Sequence, residues 1–492
     1  MRSGLIPSNS PLRFVVAVLA TFLSGELTRA TVPFTIQGPG VNPADFRVTT
    51  FATALNYPIG MAELADGSIL VTSTDGPSFF NANSRLIRLV DANKDGLADG
   101  PGTVAFNGLT GGITSVQIGG PLVFVTGQNR PIAVLRMGAT PASPFTSVGR
   151  LNITYPSGGW LHPHSALAVR PTPDEPGSYD LFFQVGSRVN FGLTTNTASL
   201  TSSNLGGLTG QLQGDAIYSL TFVDRTNSVL ATRLTQIATG LRNPSGFAFH
   251  PENGDLYFED NGIDGLVDAN EPHGADELNI LPAADIGGAI ESFGFPASYT
   301  AYRTAEIVGG QGIQPLVAFQ PIPSPITGAE SEGPNDIAFA PPAFPAPLNH
   351  GVFVTFHGKF GQGGTANEEN PLVFVDLRTT NYFHFIPPKL PGVGHLDGVL
   401  RIRDSLFISD MSTNGGLNQA AGRGAIYQVK AIVGPAVQLR TTPQLIELRW
   451  PHGTLQAAPE PAGAWTDLTN TSPYTFDPAT NALRQRFFRT RN

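Results

Sequence analysis

The chain of 492 residues contains no cysteine. That excludes disulfides, thiolate-held zinc, iron–sulfur clusters and covalent c-type haem, so any redox group is held without thiols. Charge is also sparse. Asp, Glu, Lys and Arg make up 14% of the residues, and 38 acids against 29 bases leave a formal net charge of −9. No basic run or basic–aromatic stripe occurs, which argues against nucleic-acid binding. Long amphipathic helical patterns are few, whereas glycine (56) and proline (42) are plentiful. Many short strands joined by turns follow from that balance.

What is present begins with an export pattern. Arg2 and Arg13 precede an apolar run from Phe14 to Leu23, and Thr28-Arg29-Ala30 offers small residues for cleavage. Residues 1–30 are expected to be a bacterial secretory signal, which places the mature chain in the periplasm or outside the cell. The apolar run is too short for a membrane span, so no transmembrane segment is expected in the mature chain.

From residue 31 to 433 one pattern recurs: an apolar strand, a turn, and a second apolar strand. Its six copies begin at Pro58, Ser115, Ala166, Gly246, Asp336 and Gly398. A single hairpin cannot bury both its faces, so six such units predict an all-β fold, a six-bladed β-propeller. Residues 434–492 read as a small C-terminal β-sandwich-like domain. Its strands lie around Leu445–Trp450, Ala464–Leu468 and Arg486–Arg489, and a packing or attachment role suits it.

The fourth copy is the most informative. Gly240-Leu241-Arg242-Asn243-Pro244-Ser245-Gly246 opens it, and the acidic loop Asp260–Glu271 and the turn Asp276-Glu277-Leu278-Asn279 follow. This stretch resembles the glucose/sorbosone dehydrogenase family, six-bladed propellers whose active members use pyrroloquinoline quinone (PQQ). The resemblance spans about residues 50 to 430. It implies PQQ and Ca2+ as cofactors, a sugar or polyol as substrate, and an external electron acceptor. It also implies a base before the third strand pair, at His164 by its offset, with His162 beside it as the other choice. Arg242 would stabilise the reduced quinone, since a fixed guanidinium offsets growing negative charge. Asn243 and Asn261 would contact the cofactor, and carbonyls at Gly262 and Ile263 would hold its calcium.

Lys359, in Thr355-Phe356-His357-Gly358-Lys359-Phe360, is expected either to approach the quinone or to be a solvated turn residue. The segment Asp91-Ala92-Asn93-Lys94-Asp95-Gly96-Leu97-Ala98-Asp99 has oxygen side chains at alternating positions and a glycine for the turn. Asp91, Asn93, Asp95 and Asp99 are therefore expected to bind a structural calcium. One departure from the family stands out. Its soluble glucose dehydrogenases carry an Arg-x-Arg pair before the final strand pair, where this chain has Gly394-His395-Leu396-Asp397. Two other classes therefore stay open: a non-catalytic propeller that binds polysaccharide or protein, and a calcium-dependent lactonase-like hydrolase.

Overall fold

The computed structural model describes residues 31–225, 228–432, 437–442, 445–450, 453–460, 464–477 and 486–491. The expected signal, residues 1–30, lies outside them, as does the expected domain boundary at 434. The described residues are strands, loops and two single-turn 3-10 helices, and none of their helices is long and apolar enough to cross a membrane.

Each of the six anticipated hairpins is the innermost antiparallel strand pair of a sheet of four to six strands, which makes six blades. The inner strands are Met61–Glu63, Ser115–Gly119, Leu167–Pro171, Pro244–Phe249, Pro334–Phe339 and Leu396–Ile402. Each packs against the inner strands on either side, the last against the first, so the six form a ring. Blade six is completed by the first strand of the described residues, Phe46–Leu55, which pairs with Gly424–Ala431. That pairing joins the two ends of the ring, and the fold is a closed six-bladed propeller.

Apolar residues fill the wedges between blades. Phe124 and Phe222, from blades two and three, meet edge to face at 4.9 Å in one such wedge. Truncating a fully buried phenylalanine of this kind costs about 3–5 kcal/mol.

All six inner strands run the same way along the axis. Their C-terminal ends line a cavity of about 390 Å³, which includes Glu63, Phe249, Phe339 and Arg401. Their N-terminal ends, with adjoining loops, line a second cavity of about 340 Å³. Between the two, Gly60, Ser115, Ala166, Gly246 and Asn335 close the channel to about 20 Å³.

The inner strands of blades four, five and six each carry a bulge, at Gly246, Asn335 and Asp397. A bulge breaks the period-two alternation and re-aims the side chains beside it. Gly246 adopts φ +42°, and a Cβ there would lie 2.5 Å from Glu259 Oε2 and 2.9 Å from Asp336 Cα. The last glycine of the Arg-Asn-Pro-x-Gly run thus allows blades four and five to approach closely.

After the propeller come two three-stranded sheets. One contains Gln438–Thr441, Ile446–Arg449 and Tyr474–Phe476, and the other Thr454–Ala458, Thr466–Thr469 and Phe487–Arg491. Leu448, Trp450 and Leu455 form a small core of their own there.

Candidate functional site at the mouth of the axial channel

The 340 Å³ cavity draws residues from every blade. Ile59, Phe79 and Phe80 come from blade one, Thr114 and Gln128 from blade two, and Ser165 from blade three. Blade four gives Asn243, Ser245 and Asn261, blade five Asn335, His357 and Phe360, and blade six Asp397 and Met411. Neutral amides and aromatic rings dominate this lining, and no arginine or lysine belongs to it.

One titratable pair faces the cavity. His357 directly follows the second strand of blade five, and its Nδ1 lies 2.8 Å from Asp397 Oδ1. Asp397 is 1% exposed. Burial alone would raise its pKa, but His357 and then His395 outweigh that and hold the carboxyl below its usual range. A carboxylate there fixes the Nδ1–H tautomer, which leaves Nε2 as the lone pair. That Nε2 is buried and has no hydrogen-bond partner. Asn335 Nδ2 donates to the Asp397 carbonyl at 2.8 Å, which ties the bulges of blades five and six together.

His395 stacks on His357 with centroids 3.8 Å apart. Burial, and then the neighbouring His357, push His395 down to about 4, so it is neutral across the physiological range. Its ring nitrogens sit 2.8 Å from the His357 carbonyl and 3.0 Å from the Gly415 carbonyl. It supports the His357 ring and has no nitrogen left for the cavity.

The residues picked out by sequence fare unequally. Asn243 and Asn261 reach the cavity. The Asn261 amide Nδ2 is committed to Ser245 Oγ at 3.0 Å and the Pro334 carbonyl at 3.1 Å.

His164, the expected base, does not line this cavity. It is 1% exposed, with Nε2 on the Arg130 carbonyl at 2.6 Å and Nδ1 at 2.9 Å from the Tyr155 hydroxyl. Burial pushes it down to about 4, and both nitrogens are spent on structure. His162 keeps an unpartnered Nε2, but burial and then Arg242 push it down to about 3, and it is not part of the lining.

Arg242, the expected stabiliser of the reduced quinone, is also outside this lining. It is 2% exposed, and its guanidinium donates to the Asn190 carbonyl at 3.0 Å, Asn190 Oδ1 at 2.8 Å and the Asn261 carbonyl at 3.2 Å. Asp264 Oδ2 pairs with it at 2.6 Å. It clamps the loops of blades three and four and has no free face for a quinone.

Lys359 turns away to Glu368 at 2.5 Å and Glu369 at 3.3 Å, an ion pair and not a cofactor contact. The Ile263 carbonyl already accepts from the amides of His273 and Gly274 at 2.8 and 3.0 Å, which fills it against a metal. The Gly262 amide donates to Asp276 Oδ1 at 2.6 Å. In the Asp91–Asp99 loop, Asp91 accepts from the amides of Asp95 and Gly96, Asp95 from Leu97, and Asp99 from Ala92.

The sequence does not single out His357 and Asp397. His357 lies in the same turn as Lys359, and a histidine just after a strand carries no local signal of where it faces. Asp397 sits on a bulge, where strand alternation gives no reliable facing.

No family model matches the chain. A stretch of 60 residues is 45% identical to an uncharacterised protein of Borreliella burgdorferi, and covers 12% of this chain and 14% of that protein. Among solved structures, a calcium-containing Trichoderma reesei carbohydrate-active enzyme of family AA12 is similar at TM-score 0.50. It is 15% identical, over 82% of this chain and 99% of that one. The PQQ domain of Coprinopsis cinerea pyranose dehydrogenase has TM-score 0.49 and 14% identity, over 82% of this chain and 98% of its own. The PQQ-bound aldose sugar dehydrogenase of Streptomyces coelicolor has TM-score 0.47 and 19% identity, over 79% and 99%. The chain shares its fold with the Trichoderma enzyme, and that fold is the six-bladed propeller which the resemblance to the glucose/sorbosone dehydrogenases implies.

Proposed function

We propose that the chain is an exported dehydrogenase of the quinoprotein kind, which oxidises a hydroxyl of a neutral sugar or polyol in the axial cavity. The observation behind this reading is the His357–Asp397 pair, whose buried and unpartnered ring nitrogen is carried by a residue lining a cavity drawn from all six blades. His357 Nε2 takes the hydroxyl proton, and Asp397 holds the ring in the right tautomer and stabilises the imidazolium that forms. The absence of a cation from the lining favours a neutral substrate over an acidic or phosphorylated one.

Phe79, Phe80 and Phe360 give the cavity aromatic rings, and the amides of Asn243 and Gln128 would meet the carbonyl edge of a quinone. The lining supplies no cation for the carboxylates of PQQ, so the residues present suit its ring and not its acid groups. PQQ, when bound, supplies the two-electron acceptor, and the electrons then pass to an external acceptor. Calcium is proposed at Asp91, Asn93, Asp95 and Asp99, as a structural ion. On that reading, Asp95→Asn lowers the calcium-dependent rise in melting temperature relative to the native chain.

The deciding experiment adds PQQ and Ca2+ to the purified chain, records the quinone spectrum and follows dye reduction with neutral aldoses. A bound-quinone spectrum with aldose-dependent reduction is the expected result, and no quinone binding sinks the reading. A second reading, a propeller that binds carbohydrate without chemistry, is favoured by the cation-free lining and by the structural commitments of Arg242 and His164. Sugar binding in calorimetry with no quinone spectrum would establish it. Lactone hydrolysis without quinone would point to a hydrolase instead.

A further inference from the structure

Beside the turn that carries His357 lies a second group of ionisable side chains, outside the cavity lining. Glu330, Glu332 and Glu369 each bring one carboxylate oxygen to within 4.8 Å of the others. Two cations reach the group. Arg303 pairs with Glu330, and Lys359 stands 3.3 Å from Glu369. Glu332 receives neither, and its Oε1 is buried with no hydrogen-bond partner.

An independent observation points the same way. The Tyr302 side chain is 2% exposed, its hydroxyl has no hydrogen-bond partner, and the acidic groups acting on it are Glu332, Glu330 and Asp276. Its ring lies 5.0 Å from the Arg303 guanidinium, which fixes its orientation. Three carboxylates and a buried hydroxyl thus meet beside two cations, and Glu332 Oε1 and the Tyr302 hydroxyl are left without hydrogen-bond partners.

We propose that Glu330, Glu332 and Glu369 bind one calcium ion, with the Tyr302 hydroxyl turned toward it. Calcium takes six to eight oxygen ligands in a flexible geometry, which suits carboxylates brought together from three chain positions, whereas magnesium needs shorter bonds and a stricter octahedron. Zinc prefers nitrogen and sulfur ligands, and the niche has neither.

The ion would also brace the catalytic turn. The Glu332 amide donates to the Glu369 carbonyl at 3.1 Å, and the Gly358 amide donates to the Glu332 carbonyl at 2.9 Å. Holding these carboxylates together fixes the backbone on which His357 stands. This site is separate from the Asp91–Asp99 loop and does not depend on the quinone reading.

Terbium luminescence tests it on the full chain stripped of metal, because Tb3+ replaces calcium and the adjacent Tyr302 ring sensitises its emission. Saturable emission displaced by Ca2+ is expected. It should fall about tenfold or more in Glu332→Gln and in Glu369→Gln, and persist in Asp95→Asn. Metal-free Glu332→Gln should melt at or above the metal-free native chain, since the change removes an uncompensated carboxylate and not a paired one. Emission that is absent from the native chain, unchanged in both glutamate variants, or lost in Asp95→Asn overturns the proposal.

Discussion

The imidazoles of His357 and His395 lie face to face, with centroids 3.8 Å apart and planes 5° from parallel. Two such rings cannot both carry a proton without strong repulsion, and burial keeps His395 neutral. The arrangement therefore leaves one unpartnered nitrogen in the stacked pair, the buried His357 Nε2, with Asp397 on the opposite edge of the ring.

That relationship predicts the behaviour of two variants. His357→Asn and Asp397→Asn should each lower kcat by about 10²–10⁴, the range for a positioned general base. Sugar affinity, measured by calorimetry, should change little in Asp397→Asn, because the change alters the tautomer and not the shape. An Asp397→Asn enzyme with native kcat would remove the dyad from the mechanism.

Arg242 should matter for folding more than for turnover. Arg242→Met leaves the Asn190 and Asn261 carbonyls and Asp264 without their donor. Removing one partner of a buried pair costs 3–5 kcal/mol, and the exposure of Asp264 puts this case near about 3 kcal/mol. Urea unfolding measures it. A loss below about 1 kcal/mol with collapsed activity would restore Arg242 to the chemistry.

Gly246→Ala should destabilise the contact between blades four and five. The new Cβ would meet Glu259 Oε2 at 2.5 Å and Asp336 Cα at 2.9 Å, and φ +42° is strained for alanine. The melting temperature should fall by several degrees, as for a loss of about 1–3 kcal/mol. An unchanged melting curve would show that the bulge relaxes freely.

Glu277 predicts a pH dependence. Burial, and then Asp260, push it up to about 8 from the usual 4.5. A group whose pKa is raised by folding is favoured protonated in the fold. Its contribution is complete below about 4.5 and is lost as pH climbs through about 8. Glu277→Gln keeps a neutral side chain at every pH. The melting temperature of Glu277→Gln relative to the native chain should therefore rise between pH 5 and pH 9, and a constant difference would contradict the raised value.

The six inner hairpins could be read from sequence because each is a local object. Apolar strands such as Asp255–Phe258 and Ser405–Ile408 carry their burial in their composition, and Gly-Asp or Arg-Asp turns mark where they reverse. The expected cavity contacts Asn243 and Asn261 were legible for the same reason, since they flank the hairpin of blade four. Which side chain looks into the axis is a different kind of fact. His164 and His357 are both histidines at the edge of a strand, and only the partners around them separate the two. Tyr155 and the Arg130 carbonyl take both nitrogens of the first, while Asp397, brought round by a bulge 40 residues further along, leaves the second with one unpartnered nitrogen. Arg242 shows the same limit: sequence places a guanidinium in the loop, and the packing of Asn190 and Asp264 around it decides that it is a clamp. Sequence alone determined the blades, because burial and turn propensity act over a few residues. Tertiary structure alone decided the chemistry, because free lone pairs and unpaired charges depend on contacts between distant blades.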